Sequence, residues 1–300
     1  MSHRTLIDGT GYDITGGRTL IDGTGYDIKG GRTLVDGVGY DISFGVACDP
    51  VLNNNTWEQI RAASDAGIAS SLWSIGDCKE IVLNGALCTG LTLSNYSVCV
   101  FVIGIDHNAT LEGSNRIHFQ LGKTALSGGR DIALCDSKYG SNTAGAGYFV
   151  MNGSNKNSGG WESCYMRLTI CETMKRVISV ELSSVLKSVT KYTNNTGNST
   201  AASAITATTD YFFLPSDYEV YGSCTYSNTN EASYQAQYAY YAVGNSKIKY
   251  KHSATNVACQ WYLRSPYASG STAFVVSGTT GAVGISVARY SYGFAPCFCV

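Results

Sequence analysis

Apolar residues in this chain come in short runs separated by Gly-, Asn- and Ser-rich stretches, and few of the runs carry a helical period. The longest, Val98-Cys99-Val100-Phe101-Val102-Ile103-Gly104-Ile105, is far below the ~20 residues of a membrane-spanning helix and predicts a buried strand. Strands are expected at about 79–83 and 97–105. Helical spacing occurs in three places. Trp57, Ile60, Ala63 and Gly67 share one face of a helix that Asn55 or Thr56 can cap. Trp161, Tyr165, Leu168 and Cys171 share one side of a helix opening at Gly159-Gly160, and a third helical piece near 179–186 leads to a strand at 187–193. Loops are expected at 108–115, 127–130, 140–147 and 152–160, and the polar stretch Asn194 to Thr209 reads as a longer one. Short strands and turns follow, including Phe212-Phe213-Leu214-Pro215-Ser216 and the Tyr-rich stretch Tyr234 to Tyr241. Few helices and many short strands joined by long loops predict an α+β domain, with function on the loops.

The first 45 residues read differently. Three copies of a 14-residue unit place Arg4, Arg18 and Arg32 in register, and each sets a short β-prone run, an Asp-Gly pair and a second short run, which is a hairpin signal. Units this small cannot bury a face alone, so residues 1–45 are expected to be an attachment or oligomerisation module and residues 46–300 a separate domain. Met1-Ser2-His3-Arg4 leads into the repeats and not into an apolar segment, so synthesis in the cytoplasm without a signal peptide is expected.

Charge narrows the partners. With 21 Lys+Arg against 22 Asp+Glu the net charge is −1, which predicts neither nucleic-acid binding nor membrane insertion. Lys247-Ile248-Lys249-Tyr250-Lys251-His252 alternates charged and apolar positions, as lysines shielding an exposed strand from edge pairing would. The 11 cysteines fit no zinc spacing. Cys297 and Cys299 fall on one face of a strand and Cys164 and Cys171 on one face of a helix; most read as small buried hydrophobes.

The C-terminal tract carries the strongest functional signal. Between Trp261-Tyr262-Leu263-Arg264-Ser265-Pro266 and Gly293-Phe294-Ala295-Pro296-Cys297-Phe298-Cys299-Val300 the chain is rich in Ser, Thr, Gly, Ala, Val and Tyr, the side chains of adaptable binding loops. No Asp or Glu follows Glu231 and no Asn follows Asn256, so this tail holds no carboxylate to act as general acid, general base or hard-metal ligand. The expected ligand-binding residues are Tyr267, Tyr290 and Tyr292 for rigid contact area, Ser269, Ser271, Thr272, Ser277, Thr279, Thr280 and Ser286 for hydrogen bonds, and Arg289 as the one charged anchor. Arg264 beside Trp261 reads as a brace for loop carbonyls. Asp106-His107 is the only adjacent acid–imidazole pair, and on a strand the two point to opposite faces; His118 and His252 lack companions at metal-ligand spacing. No nucleophile-elbow, zincin, Walker or dinucleotide motif occurs, and no cofactor or metal is expected. The Tyr234–Tyr241 group reads equally as half-buried β packing and as a stacking platform.

The order Trp57-x-x-Ile60, Gly76-Asp77, Gly104-x-Asp106-His107, Gly160-Trp161-x-x-x-x-Met166-Arg167, Leu214-Pro215-Ser216-x-x-Glu219-Val220, Trp261-x-Leu263-Arg264-Ser265-Pro266 and Gly293-x-x-Pro296-x-Phe298 resembles an uncharacterised domain family frequent in gut Firmicutes and their phages, over about residues 50–300. Some members resemble the variable proteins of diversity-generating retroelements. The resemblance implies a C-type-lectin-like fold, related to that of formylglycine-generating enzymes, with many short strands and long loops. It implies a variable region at 261–300, diversified positions among 267–292, and structural anchors at Trp261, Arg264, Pro266, Gly293 and Pro296. The repeats resemble hairpin units of phage tail-associated proteins. The chain is therefore expected to be a non-enzymatic receptor-binding protein of a phage tail or bacterial cell surface, a homo-oligomer and, by analogy with fibres, a trimer, whose partner is a protein or glycan receptor on a bacterial cell. Two other readings are an enzyme on the formylglycine-generating fold using Cys297 and Cys299 with copper, and a purely structural virion subunit.

Overall fold

The computed structural model describes residues 48–127, 129–142 and 145–300 in full and, before them, the backbone of six strands. The chain divides into two compact units, Met1–Ala47 and Cys48–Val300. In the first, β1 (His3–Ile7) pairs with β2 (Thr10–Ile14), β3 (Gly17–Ile21) with β4 (Thr24–Ile28), and β5 (Gly30–Val35) with β6 (Val38–Ser43). Each is a separate two-stranded antiparallel sheet, with one repeat to one hairpin. The Asp-Gly turns expected at 8–9, 22–23 and 36–37 lie outside the described residues.

The second unit begins with α1 (Trp57–Asp65) and the single turn α2 (Ala69–Leu72). Of the two candidate caps it is Thr56 that opens α1, through a capping box with Gln59. Next come β7 (Cys78–Cys88), β8 (Leu91–Ile105), α3 (Ala109–Glu112), β9 (Ile117–Lys123) and β10 (Ile132–Ala133). Then follow α4 (Gly160–Ser163), α5 (Glu172–Val177), α6 (Val180–Val185), β11 (Val189–Asn194), β12 (Ile205–Asp210), β13 (Phe212–Phe213), α7 (Asp217–Tyr221) and α8 (Ala239–Ala242). The chain ends in β14 (Lys249–Lys251), β15 (Ala254–Cys259), β16 (Trp261–Pro266), β17 (Ala273–Ser277), β18 (Val283–Val287) and β19 (Cys297–Cys299). This is a mixed α+β fold built on a curled five-strand antiparallel half-barrel, ordered β13-β19-β9-β8-β7, with several small sheets around it.

The half-barrel explains the continuous apolar run of β8. Val98 to Ile103 are all buried because both faces of the strand are covered, so no polar position alternates in. On one side of the sheet Trp57 packs edge-on against Phe119 at 5.6 Å, and Phe119 stacks on Phe298 at 5.3 Å, joining α1, β9 and β19. Burying each such ring contributes about 1.5–3 kcal/mol. Because Phe298 pairs with Phe119, Cys297 with Gln120 and Cys299 with His118, the opposite side carries His118, Gln120 and both thiols, a polar face that is nevertheless buried.

Several sequence expectations are corrected. The strands expected at 79–83 and 97–105 are parts of longer ones, 11 and 15 residues, paired as one long hairpin. The helix expected from Gly159-Gly160 is broken: after α4 the backbone extends at Cys164, and Met166–Cys171 is π-helical before α5. The i→i+5 winding carries Leu168 off the predicted face, and it is exposed while Met166, Ile170 and Met174 are buried. Gly160 is required at that start, since it has φ +52° and a Cβ there would lie 2.0 Å from the Asn194 carbonyl oxygen. The polar stretch 194–209 is a loop only in part. Its second half enters β12, which pairs with β11, and buried Asn194 ties the remainder by donating to the carbonyls of Gly197 and Ser199 at 2.6 and 3.0 Å. Lys249, expected on a wet edge, is buried because β14 is the middle strand of β10-β14-β15; its ammonium donates to Gln120 Oε1 and lies 5.0 Å over the Trp261 ring. Tyr238, Tyr240 and Tyr241 are fully or nearly buried on and beside a helical turn that packs on the half-barrel, Tyr240 against Phe101 of β8 at 4.8 Å, so they are core side chains and not half-buried strand positions or an exposed platform, while Tyr234 is partly exposed and stacks on Tyr192 at 5.1 Å. His107 lies beyond the end of β8, between Asp106 and Asn108 at φ +50° and +49°, so the strand geometry expected for Asp106-His107 does not apply.

Candidate functional site

The C-terminal tract folds into the antiparallel sheet β16-β17-β18. Trp261 to Pro266 are all buried, since β16 lies between β17 and the elements β11, α4 and α7. The core of the expected binding tract, Ala273 to Ser277, is also buried. Ala273 pairs with Val287 and Ser277 with Val283, so the loop after β16 and the turn after β18 meet at one end of the sheet, and the β17–β18 turn lies at the other. At ~3.4 Å per residue the two ends are about 17 Å apart.

The first end gathers most of the expected residues. Ser269, Ser271 and Thr272 are exposed and Tyr267, Arg289 and Tyr290 partly so. The Ala288 amide donates to the Thr272 carbonyl at 2.8 Å, which locks the two segments together. Buried Asn157 clamps this loop from outside the tract: its Nδ2 donates to the carbonyls of Tyr267, Gly270 and Ala273 at 3.0, 2.8 and 2.9 Å, and its amide donates to the Ser271 carbonyl at 2.9 Å. Beneath the turn, the Tyr262 hydroxyl reaches the carbonyls of Val287 and Tyr290 at 2.9 and 3.2 Å. Among the described residues Arg289 has no hydrogen-bond or ion-pair partner, and its Nε is buried without one.

The other residues are dispersed. Thr279 and Thr280 are exposed at the far end, and Ser286 is partly exposed on the edge strand β18. Tyr292 is half-buried, stacked on Tyr290 at 5.5 Å and packed against Tyr139 and Tyr262, so it supports the surface more than it forms it. Ser277 is removed from the expected set. It is fully buried, accepts from the Tyr221 hydroxyl at 2.8 Å and donates to the Lys247 carbonyl at 3.1 Å, because alternate positions of β17 face a covered side as well as the core. Of the anchors, Gly293 bridges Trp261 so closely that a Cβ would lie 2.9 Å from the Gln260 carbonyl oxygen and 2.8 Å from Ala133 Cβ. Pro266 and Pro296 are buried, and the Pro296 carbonyl accepts from the Leu121 amide at 2.9 Å.

Below the sheet lies a buried charge network that the linear spacing did not reveal. Arg264 grips Glu219 through both Nη atoms, donates through Nε to Thr193 Oγ1 at 2.7 Å and through Nη1 to the Leu214 carbonyl at 3.0 Å. Glu219 also closes the capping box of α7 with Ser216, so one carboxylate both starts a helix and neutralises the guanidinium. Lys191 donates to Glu112, to Glu219 at 3.0 Å and to the Tyr238 hydroxyl at 2.9 Å. Although burial opposes the charge, Arg264 and Lys191 hold the Glu219 carboxyl well below the usual range. Burial pushes Glu112 up to about 7 and Glu231 up to about 7. Burial, reinforced by Lys191, lowers the His107 imidazole to about 3 and drives His118 well below its ordinary value, so both rings are neutral. His107 stacks on Tyr238 at 3.8 Å, and Nε2 of each histidine is buried without a hydrogen-bond partner, that of His107 lying 3.9 Å from Glu112 Oε1.

His107, Glu112 and Glu219 bring ligand atoms within 4.8 Å of one another, a grouping of metal-ligand type. The cation between the two carboxylates is the Lys191 ammonium, and both Glu219 oxygens are already engaged by Arg264, so this donor set is built for an internal ion pair. Cys297 and Cys299 are fully buried on the same side of the sheet; burial pushes the Cys299 thiol up to about 12 and the Cys297 thiol higher still, which disfavours the thiolate that soft metals bind.

The fold is thus an α+β domain whose exposed C-terminal loops rest on a buried ionic scaffold. A family model described as Domain of unknown function (DUF6273) matches residues 143–300, and the chain belongs to that family. No curated protein and no solved structure matches it. Among the described residues no helix is long and apolar enough to cross a membrane.

Proposed function

We propose that Cys48–Val300 is a ligand-binding domain without catalytic activity, of C-type-lectin-like fold, and that the chain is a receptor-binding adhesin of a phage or prophage tail tip or of a bacterial cell surface. The observation that carries this reading is the exposed loop Tyr267–Thr272, joined to the turn Ala288–Tyr290 and clamped by Asn157 from outside the tract. A surface of Ser, Thr and Tyr held by residues that are not part of it accepts changes of side chain without loss of fold, which is what a diversified binding site requires. Arg289, a cation without a partner among the described residues, supplies a charged contact at the same end. The family relation proposed is to the variable proteins of diversity-generating retroelements. The N-terminal hairpins would assemble several copies, and avidity would convert a weak contact into durable attachment.

Sequencing this gene across a population of the phage or host tests the reading. Changes are expected at Tyr267, Ser269, Ser271, Thr272, Thr279, Thr280, Ser286, Arg289 and Tyr290, with Asn157, Trp261, Arg264, Ala273 to Ser277 and Gly293 constant. A uniform tract would sink the diversification. A Ser271→Arg variant of the full chain that binds host cells as well as the parent would sink the surface itself.

A further inference from the structure

A second exposed site lies away from β16-β18, in a groove of about 410 Å³ between the end of α1, the segment leading into β9, the segment leading into β11 and the β12–β13 corner. Three cations meet there over one carboxylate. Asp65, half-exposed, takes Arg61 Nε at 2.8 Å and Lys187 Nζ at 2.7 Å. Arg116 is held over the groove by backbone carbonyls alone, Ser114 at 2.8 Å and Ser188 at 3.3 and 3.4 Å, and Lys187 is fixed by Ser64 Oγ at 2.9 Å and the Asn115 carbonyl. These contacts orient the cations without neutralising them. Burial lowers the Lys187 ammonium, and the repulsion of Arg61 and Arg116 adds to it against the pull of Asp65. At the rim stands Tyr211, a ring 40% exposed, with Lys175 4.4 Å over it.

We infer that this groove binds an acidic saccharide, the sugar ring lying on Tyr211 and its carboxylate or phosphate lodged among Arg61, Arg116 and Lys187. An oxyanion supplies the charge that Asp65 leaves unmatched, and guanidinium groups suit either oxyanion through paired N–H donors. A sugar adds an apolar face for the exposed ring and hydroxyls for the Ser114 and Ser188 region. No residue of the groove belongs to the β16-β18 surface, so the inference stands or falls separately from the reading above.

Calorimetric titration of the full chain with glucose, glucuronate, glucose 6-phosphate and inorganic phosphate tests it. The acidic sugars are expected to bind at least about tenfold more tightly than glucose, with affinity falling as salt shortens the screening length. Comparison of glucuronate with glucose 6-phosphate identifies which oxyanion the groove prefers. Arg61→Gln should weaken every acidic ligand, and Tyr211→Ala should weaken both acidic sugars but not inorganic phosphate, with an unchanged melting temperature. Glucose binding as tightly as the acidic sugars, phosphate matching glucose 6-phosphate, no binding by any of the four, or sugar binding unaffected by Tyr211→Ala would each overturn the assignment.

Discussion

Replacing Arg264 by Met should unfold the domain far more readily than its distance from any exposed residue suggests. Arg264 and Glu219 are both fully buried, and the methionine leaves the Glu219 carboxylate facing Lys191 alone, with Thr193 Oγ1 and the Leu214 carbonyl deprived of donors. Breaking a buried ion pair by removing one member costs about 3–5 kcal/mol, because the surviving charge stays desolvated. For a unit of this size each kcal/mol lowers the melting temperature by roughly 2–4 °C, so a fall of about 10 °C is expected. All four tryptophans lie in Cys48–Val300, so their fluorescence during urea or thermal unfolding follows this unit and not the hairpins. Adding Glu219→Gln separates charge from contact. A glutamine still completes the capping box with Ser216, and Lys191 keeps Glu112, so the double variant should recover at least half the loss. Arg264→Met within about 1 kcal/mol of the parent, or a double variant as unstable as both losses combined, would refute the claim that paired charge holds this core.

Other consequences follow from the same geometry. Asn157→Ala should cost about 2–3 kcal/mol by leaving buried loop carbonyls without their donor, and should speed amide exchange in 267–273; protection equal to the parent would mean the loop holds itself. Glu231 moves from 4.5 to about 7 on folding because it is buried, so its neutral form stabilises the fold below pH 4.5 and that contribution is lost as pH rises through 7. The stability of the parent relative to Glu231→Gln should accordingly fall by about 3 kcal/mol between those pH values, and a flat difference in urea titrations would contradict it. Gly293→Ala should destabilise by about 1–3 kcal/mol, since the new methyl meets Ala133 and the Gln260 carbonyl, and an unchanged melting temperature would show that the β16 contact can yield. Ser269→Ala, Ser271→Ala and Thr272→Ala should each change stability by less than about 0.5 kcal/mol, whatever they do to binding.

What could be read from the chain alone was local. The eight apolar residues of β8, the cap before Trp57 and the paired runs of each repeat are encoded within a turn or two of backbone, and period and capping chemistry report such features directly. The Ser/Thr/Tyr tract is visible as composition, yet composition cannot say which side of a strand is covered, and so it groups buried Ser277 with the exposed hydroxyls. The break at Gly160, set by its close approach to Asn194, and the π-helical winding at Met166–Cys171 are both features that no 3.6-residue period contains. Lys191 meets Glu112 across 79 positions and Arg264 meets Glu219 across 45, and the groove joins Arg61 and Asp65, one turn apart on α1, to Arg116 and Lys187 from two distant segments. Charged residues look alike in sequence whether solvated or buried. Only the fold, by removing water from one set and leaving it around the other, decided which of them became scaffold and which remained free to meet a ligand.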